Sequence, residues 1–181
     1  MQIKIETTGY VNELNVFDLY VVHGIVFATC WGLLALLQIA AARWLKMYHK
    51  VSMWIHRISG FVIFLATFIM AMFTFKQDDW EIKSGYHPAM GLTIVITMSL
   101  LTIGGITARL FLEKSRWNTV MALRIKLGHK LFGALVIFLA QITLVLGGIA
   151  YADRGHSLAE TLVIIETVIF FVLVFAFEIL F

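Results

Sequence analysis

Charged side chains make up only 14% of this 181-residue chain, against about 25% in an ordinary soluble domain. A water-facing surface cannot be built at this length from so little charge, which excludes a soluble core-and-surface protein. Cysteine is limited to Cys30. A lone cysteine excludes an internal disulfide and a cysteine-only metal site, and it leaves the redox compartment unreadable. Cys30 falls inside an apolar run, so a buried thiol is expected. Proline is limited to Pro88, which suits the first turn of a helix, where its missing N–H is not needed. The opening stretch MQIKIETTGYVNEL has no apolar h-region and no small-residue cleavage site, so no secretory signal is expected there. The net charge of +3 gives no reason to expect nucleic acid as a partner.

What is abundant is apolar sequence: 61% of residues, with a mean hydropathy of +0.91. Runs of about 20 apolar residues span hydrocarbon as helices. Five are predicted, at 16–42, 51–75, 88–111, 127–150 and 158–181, with loops at 43–50, 76–87, 112–126 and 151–157. No loop could hold a soluble domain. The expected fold is all-α, a polytopic transmembrane bundle of about five helices with the lipid bilayer as its surroundings. Residues 1–15 form a tail, 16–150 a four-helix core and 151–181 a fifth helix.

Five spans put the two termini on opposite sides, here termed the N-side and the C-side. Ten of the 14 Lys and Arg residues fall on the C-side, between Arg43 and Lys130; Lys4, Lys76, Lys83 and Arg154 fall on the N-side among seven carboxylates. The positive-inside rule then predicts a cytoplasmic or matrix-equivalent C-side and an extracytoplasmic N-terminus. It does not choose between plasma membrane, endomembrane and mitochondrial inner membrane.

Ionisable residues within spans are costly and point to function. Of six histidines, His49 and His156 fall in a loop and at a helix start. The other four are spread one per helix over the first four helices: His23, His56, His87 and His129. His23 and His87 follow helix starts on the N-side, and His56 and His129 follow starts on the C-side. A rise of 1.5 Å per residue puts each roughly 10 Å or less inside its interface. The four therefore form two pairs by depth, as two bis-histidine haems require. By the same rise, iron centres about 15–20 Å apart are expected. Glycine follows four residues after three of them, at Gly60, Gly91 and Gly133, and Gly24 follows His23 directly. Residues i and i+4 share a helix face, so these glycines leave room for a flat macrocycle. A single intramembrane histidine is more often a packing residue, and glycine is common where membrane helices pack closely. Four helices, two depths and a shared offset together favour ligation. Zinc or bare iron is disfavoured, because two histidines leave such an ion short of ligands. Asp18 is the only carboxylate in the first four spans, at the rim.

These residues resemble the cytochrome b561 superfamily, most closely the b561 domain of DOMON-linked ferric-chelate-reductase-like proteins. The likeness is carried by HGIVFATCWGLL and IAAARWLK, WIHRISGFVIFLATFIMAM, HPAMGLTIVI and GHKLFGALVIFLAQITLVLGGI, within 17–150. It implies transmembrane electron transfer through two b haems ligated by His23 with His87 and His56 with His129. The implied donor is a C-side small molecule such as ascorbate or quinol; the implied acceptor is a ferric chelate or monodehydroascorbate. Against the family's pattern, the sequence as read is expected to lack a DOMON domain before the core and one flanking helix of the usual six, with an upstream domain left open, and the substrate motifs of ascorbate-specific members are not recognisable. An enzyme of this kind, a homodimer, and a haem-bearing or structural subunit of a larger respiratory-type complex all stay open.

Haem propionates would want cations at the surface. Arg57, Lys126, Lys130 and Arg43 are candidates on the C-side, and Lys83 and Arg154 on the N-side; snorkelling is the plainer role for each. The five tryptophans, Trp31, Trp44, Trp54, Trp80 and Trp117, are expected as interface anchors. Phe61 and Phe64 are expected between the pairs. Glu166 should lie deep in the last span, for proton movement or for capping a polar group.

Overall fold

The computed structural model describes residues 19–45, 48–81, 83–114, 119–153 and 155–180. Five helices long and apolar enough to cross a membrane follow one another: α1 (Leu19–Arg43), α2 (His49–Gln77), α3 (Tyr86–Lys114), α4 (Thr119–Ala152) and α5 (Ser157–Leu180). No strand occurs among the described residues. The chain is a polytopic helical bundle. Helix is the solution here because hydrocarbon offers no partner for backbone N–H and C=O groups, and a helix satisfies them within the segment.

α4 is longer than the hydropathy predicts. It begins at Thr119 rather than near 127, and the stretch expected as a loop at 112–126 is helical at both ends. Arg124 and Lys126 continue the hydrogen-bonded spiral outside the apolar zone. α1 has a feature that the sequence did not announce: Thr29–Leu34 is a π-helical turn, and Ala35–Arg43 resumes the α-helix.

α2 packs against α1 and α3, and α3 against α4. α4 also meets the π turn of α1, closing a ring of four, and α5 lies over α4 and that same turn. Arg43 on α1 pairs with Glu178 near the end of α5 at 2.5 Å, and Trp44 stacks on Phe177, so the ends of α1 and α5 share the C-side. At the other end Tyr20 of α1 donates to Asp78 after α2 at 3.1 Å. Lys83 pairs with the same carboxylate, which raises its pKa above the ordinary lysine value. The loop turns on Asp79 and Trp80, both with positive φ.

Most large apolar side chains point outward, as a lipid-facing bundle requires. The buried centre is small: Cys30, Trp31 and Ala35 of α1, Ile63 of α2, Ile94 and Met98 of α3, Val136, Ala140 and Leu144 of α4, and Phe170 of α5. Cys30 is a buried thiol, as expected. Trp31 corrects the interface-anchor reading. It is 2% exposed at mid-span, whereas Trp54 and Trp80 are exposed near helix ends. Trp117 and Asp18 lie outside the residues whose side chains are described.

Candidate functional site

Seven residues after each of the four histidines comes a member of the buried centre: Cys30, Ile63, Ile94 and Val136. Seven residues is two turns, so each histidine shares a face with the residue that plugs the middle. The four plug residues are buried, whereas His23, His56 and His87 are half-buried and His129 is exposed. The plug lies between a histidine layer at the N-side and another at the C-side.

The layers are composed as depth predicts. The rings of His23 and His87 have centroids 6.0 Å apart at an interplanar angle of 77°. Those of His56 and His129 are 6.4 Å apart at 79°. α1 and α3, like α2 and α4, are opposite members of the ring, so each pair faces across the interior.

Hydrogen bonds fix the rings. His87 Nδ1 lies 3.1 Å from the backbone oxygen of Thr143, and His56 Nδ1 lies 3.3 Å from that of Gln38. A carbonyl only accepts, so both Nδ1 atoms carry the proton and both Nε2 lone pairs are free. His23 Nδ1 meets Thr74 Oγ1 at 3.1 Å. The Thr74 hydroxyl donates to the Met70 carbonyl at 2.9 Å, so it accepts from His23 and leaves that Nε2 free as well. Phe27 stacks on the His23 ring at 4.5 Å. His129 rests on Gly105: a Cβ there would lie 3.3 Å from His129 Cε1.

The donor set is compatible with two imidazoles on one metal. Two imidazoles facing across one metal, each nitrogen about 2 Å from it, have ring centres roughly 6.3 Å apart. Both observed separations fall there. A partner on Nδ1 is the usual outer-shell support of a metal-bound imidazole. No group of three or more His, Cys, Asp or Glu able to hold a metal occurs among the described residues. A bare ion at either pair would lack ligands. The residues fit a bis-histidine haem at each pair.

The candidate glycines are placed as follows. A Cβ at Gly24 or Gly91 would meet nothing within 4 Å, and one at Gly133 would only graze Leu101 at 3.9 Å; Gly60 instead faces the Gln38 amide nitrogen, at 2.6 Å. Two glycines that the sequence reading missed lie against the histidine rings themselves. A Cβ at Gly147 would stand 2.8 Å from His87 Cε1, and Gly105 supports His129 as above. Both belong to Gly-Gly doublets, at 104–105 and 147–148, a signal visible in the sequence.

Arg57, Lys126 and Lys130 are exposed at the His56–His129 end and form no ion pair among the described residues. Arg43 and Lys83 are engaged by Glu178 and Asp78; Arg154 lies outside the described residues. Phe64 packs against the buried centre, but Phe61 is 53% exposed, which removes it from the plug. Along the helices the two layers are well separated. Gln38, the partner of His56, is on the same helix as His23, and Thr143 and Thr74 tie the layers likewise along α4 and α2. The intervals 23–38, 129–143 and 56–74 correspond to about 21–27 Å of helix. His87 is the second residue of α3, whereas His56 and His129 lie about two and three turns into α2 and α4, farther from the helix starts than hydropathy implied.

No family model matches the chain, and neither a curated protein nor a solved structure matches it.

Proposed function

We propose that this chain carries electrons across a membrane, between a small-molecule donor on the cation-rich C-side and an acceptor on the N-side, using two b haems. The observation that carries the reading is the pairing of four histidines into two facing sets, 6.0 and 6.4 Å between ring centres, at opposite ends of one buried plug. His23 with His87 would hold the N-side haem, and His56 with His129 the C-side haem. The group supplies reversible one-electron chemistry at an iron whose potential the protein tunes through ligands, burial and hydrogen bonds. The residues orient the four imidazoles by Nδ1 bonds and glycine seats. The plug of Ile63, Ile94, Met98 and Val136 excludes water between the layers. The exposed Arg57, Lys126 and Lys130 offer positive charge to propionates or an anionic donor at the C-side.

The test is a reduced-minus-oxidised optical spectrum with haem counted per chain. Two b-type haems are expected in the wild type. His23→Ala should remove the N-side haem and spare much of the other, and His129→Ala the reverse, while His49→Ala and His156→Ala keep both. A purified chain without haem, or one in which neither substitution changes haem content, would overturn the reading.

A further inference from the structure

The polar atoms that the histidine layers leave unused gather at mid-span. α5 lays Glu166 against the π turn of α1, where a Cβ on Gly32 would fall inside the carboxyl group, 2.8 Å from Cδ. A side chain at residue 32 would push the carboxyl out of that position. Beside it, the side-chain nitrogen of Gln141 donates to the carbonyl of Trp31 at 2.8 Å. Gln141 and Trp31 are 1% and 2% exposed, and Gln141 Oε1, Trp31 Nε1 and Thr167 Oγ1 are buried without hydrogen-bond partners. Unpartnered buried polar atoms cost free energy, more so in hydrocarbon. A carboxyl with none of its four possible acceptor sites paired to a cation is costlier still if ionised.

The titratable neighbours do not relieve that cost. α1 brings the neutral thiol of Cys30; His23 and Arg43 are more than two turns from Gly32, and Arg43 is held by Glu178. α4 brings Gln141; its Lys130 and Tyr151 are two or more turns away. On α5, Glu160 lies more than a turn and a half toward the N-side and adds charge of the same sign, and Glu178 lies more than three turns away. No cation stands opposite the carboxyl among the described residues.

We propose that Glu166 is a proton-binding site in the middle of the membrane, its carboxylic acid seated on the π-helical turn at Gly32. The proton is its ligand, and no cation among the described residues stands opposite the carboxyl to take its place. The assignment is independent of the haem reading, because it rests on α1, α4 and α5 at a level without a histidine.

The test uses dicyclohexylcarbodiimide, an apolar reagent that partitions into membranes and reacts with protonated carboxyls. The acid proton moves to one carbodiimide nitrogen while the carboxylate oxygen attacks the central carbon. The resulting O-acylisourea rearranges to a stable N-acylurea, so the adduct gains the whole reagent and nothing is oxidised. Full-length wild-type chain in liposomes is treated at about pH 8, well above the ordinary glutamate pKa of about 4.3, and mapped by mass spectrometry. Glu166 should be labelled about tenfold or more over Glu178, Glu160 and Glu81, and labelling should fall as pH rises further. Glu166→Gln should lose the adduct at that position. The wild-type comparison among carboxyls stands even if that variant fails to fold. Glu166 labelled no faster than Glu178, or labelled only under acid conditions, would overturn the proposal.

Discussion

Thr74 shows what one hydroxyl does to a histidine ring proposed as a ligand. Its proton is committed to the Met70 carbonyl, so its lone pair receives the His23 Nδ1 proton and fixes the ring with Nε2 inward. A donor bond on Nδ1 also makes the imidazole a stronger base toward iron. Thr74→Val keeps the volume and removes the acceptor. At about 1 kcal/mol for the bond, the N-side haem potential should rise by roughly 40 mV, read by spectropotentiometry with the C-side haem as internal reference. A fall, or an equal shift in both haems, would contradict the assigned tautomer. Gly147 makes the complementary point by sterics. A methyl there has 2.8 Å to His87 Cε1, and the ring is already tied to Thr143. Gly147→Ala should displace the ring and deplete the N-side haem. Gly105→Ala, with 3.3 Å to His129, should affect the C-side haem less. Haem-to-protein ratios check both, and an undiminished N-side haem in Gly147→Ala would rule out the seat. Which histidines pair was legible because a helix converts sequence position into depth. Which glycines seat them was not, because contact across helices depends on the rotation of each about its axis. The doublets at 104–105 and 147–148 marked the places without saying which member of each faces a ring.

At the scale of the helix, hydropathy found five spans because each must hide its backbone from lipid over a fixed thickness. It misplaced the start of α4, since Thr119–Lys126 leaves the apolar zone without leaving the helix. The π turn at Thr29–Leu34 was not legible at all: TCWGLL lacks proline, and widening one turn leaves no compositional mark. Its consequence is a place on α1 where α5 comes close enough to lay a carboxyl on Gly32. That contact should appear as coupling in a double-mutant cycle. Gly32→Ala should destabilise the bundle by about 1–2 kcal/mol by crowding Glu166. In a Glu166→Ala background the same change should cost close to nothing. Denaturant unfolding in mixed micelles measures all four chains; additive effects would show that Glu166 and Gly32 do not share a seat.

At the scale of the molecule, the charges are distributed unequally between the two sides. By the positive-inside rule, ten cations between Arg43 and Lys130 predict that the C-side faces the cytoplasm or its equivalent. Cys30, 5% exposed at mid-span, is a poor target for an impermeant maleimide. A single cysteine added at either terminus therefore reports its own side, and labelling of a C-terminal cysteine from outside would reverse the topology. That orientation matters because the two histidine layers are unequal in their surroundings. Exposed Arg57, Lys126 and Lys130 flank the C-side pair, whereas an acidic loop with Asp78, Asp79 and Glu81 adjoins the N-side pair. An anionic donor is drawn to the first and repelled by the second, an effect that salt screens over about 10 Å at 0.1 M. Sealed liposomes holding an impermeant acceptor inside and given ascorbate outside separate the two orientations. Chains with the C-side outward should pass electrons inward, more slowly as ionic strength rises, and chains with the N-side outward should be slower at low salt. Because the layers lie in series, with about 21–27 Å of helix between them, His87→Ala and His129→Ala should each stop transfer, although each leaves one haem reducible. Transfer that survives the loss of either pair, or reduction of both haems with no delivery to the enclosed acceptor, would leave two one-sided centres in place of a path.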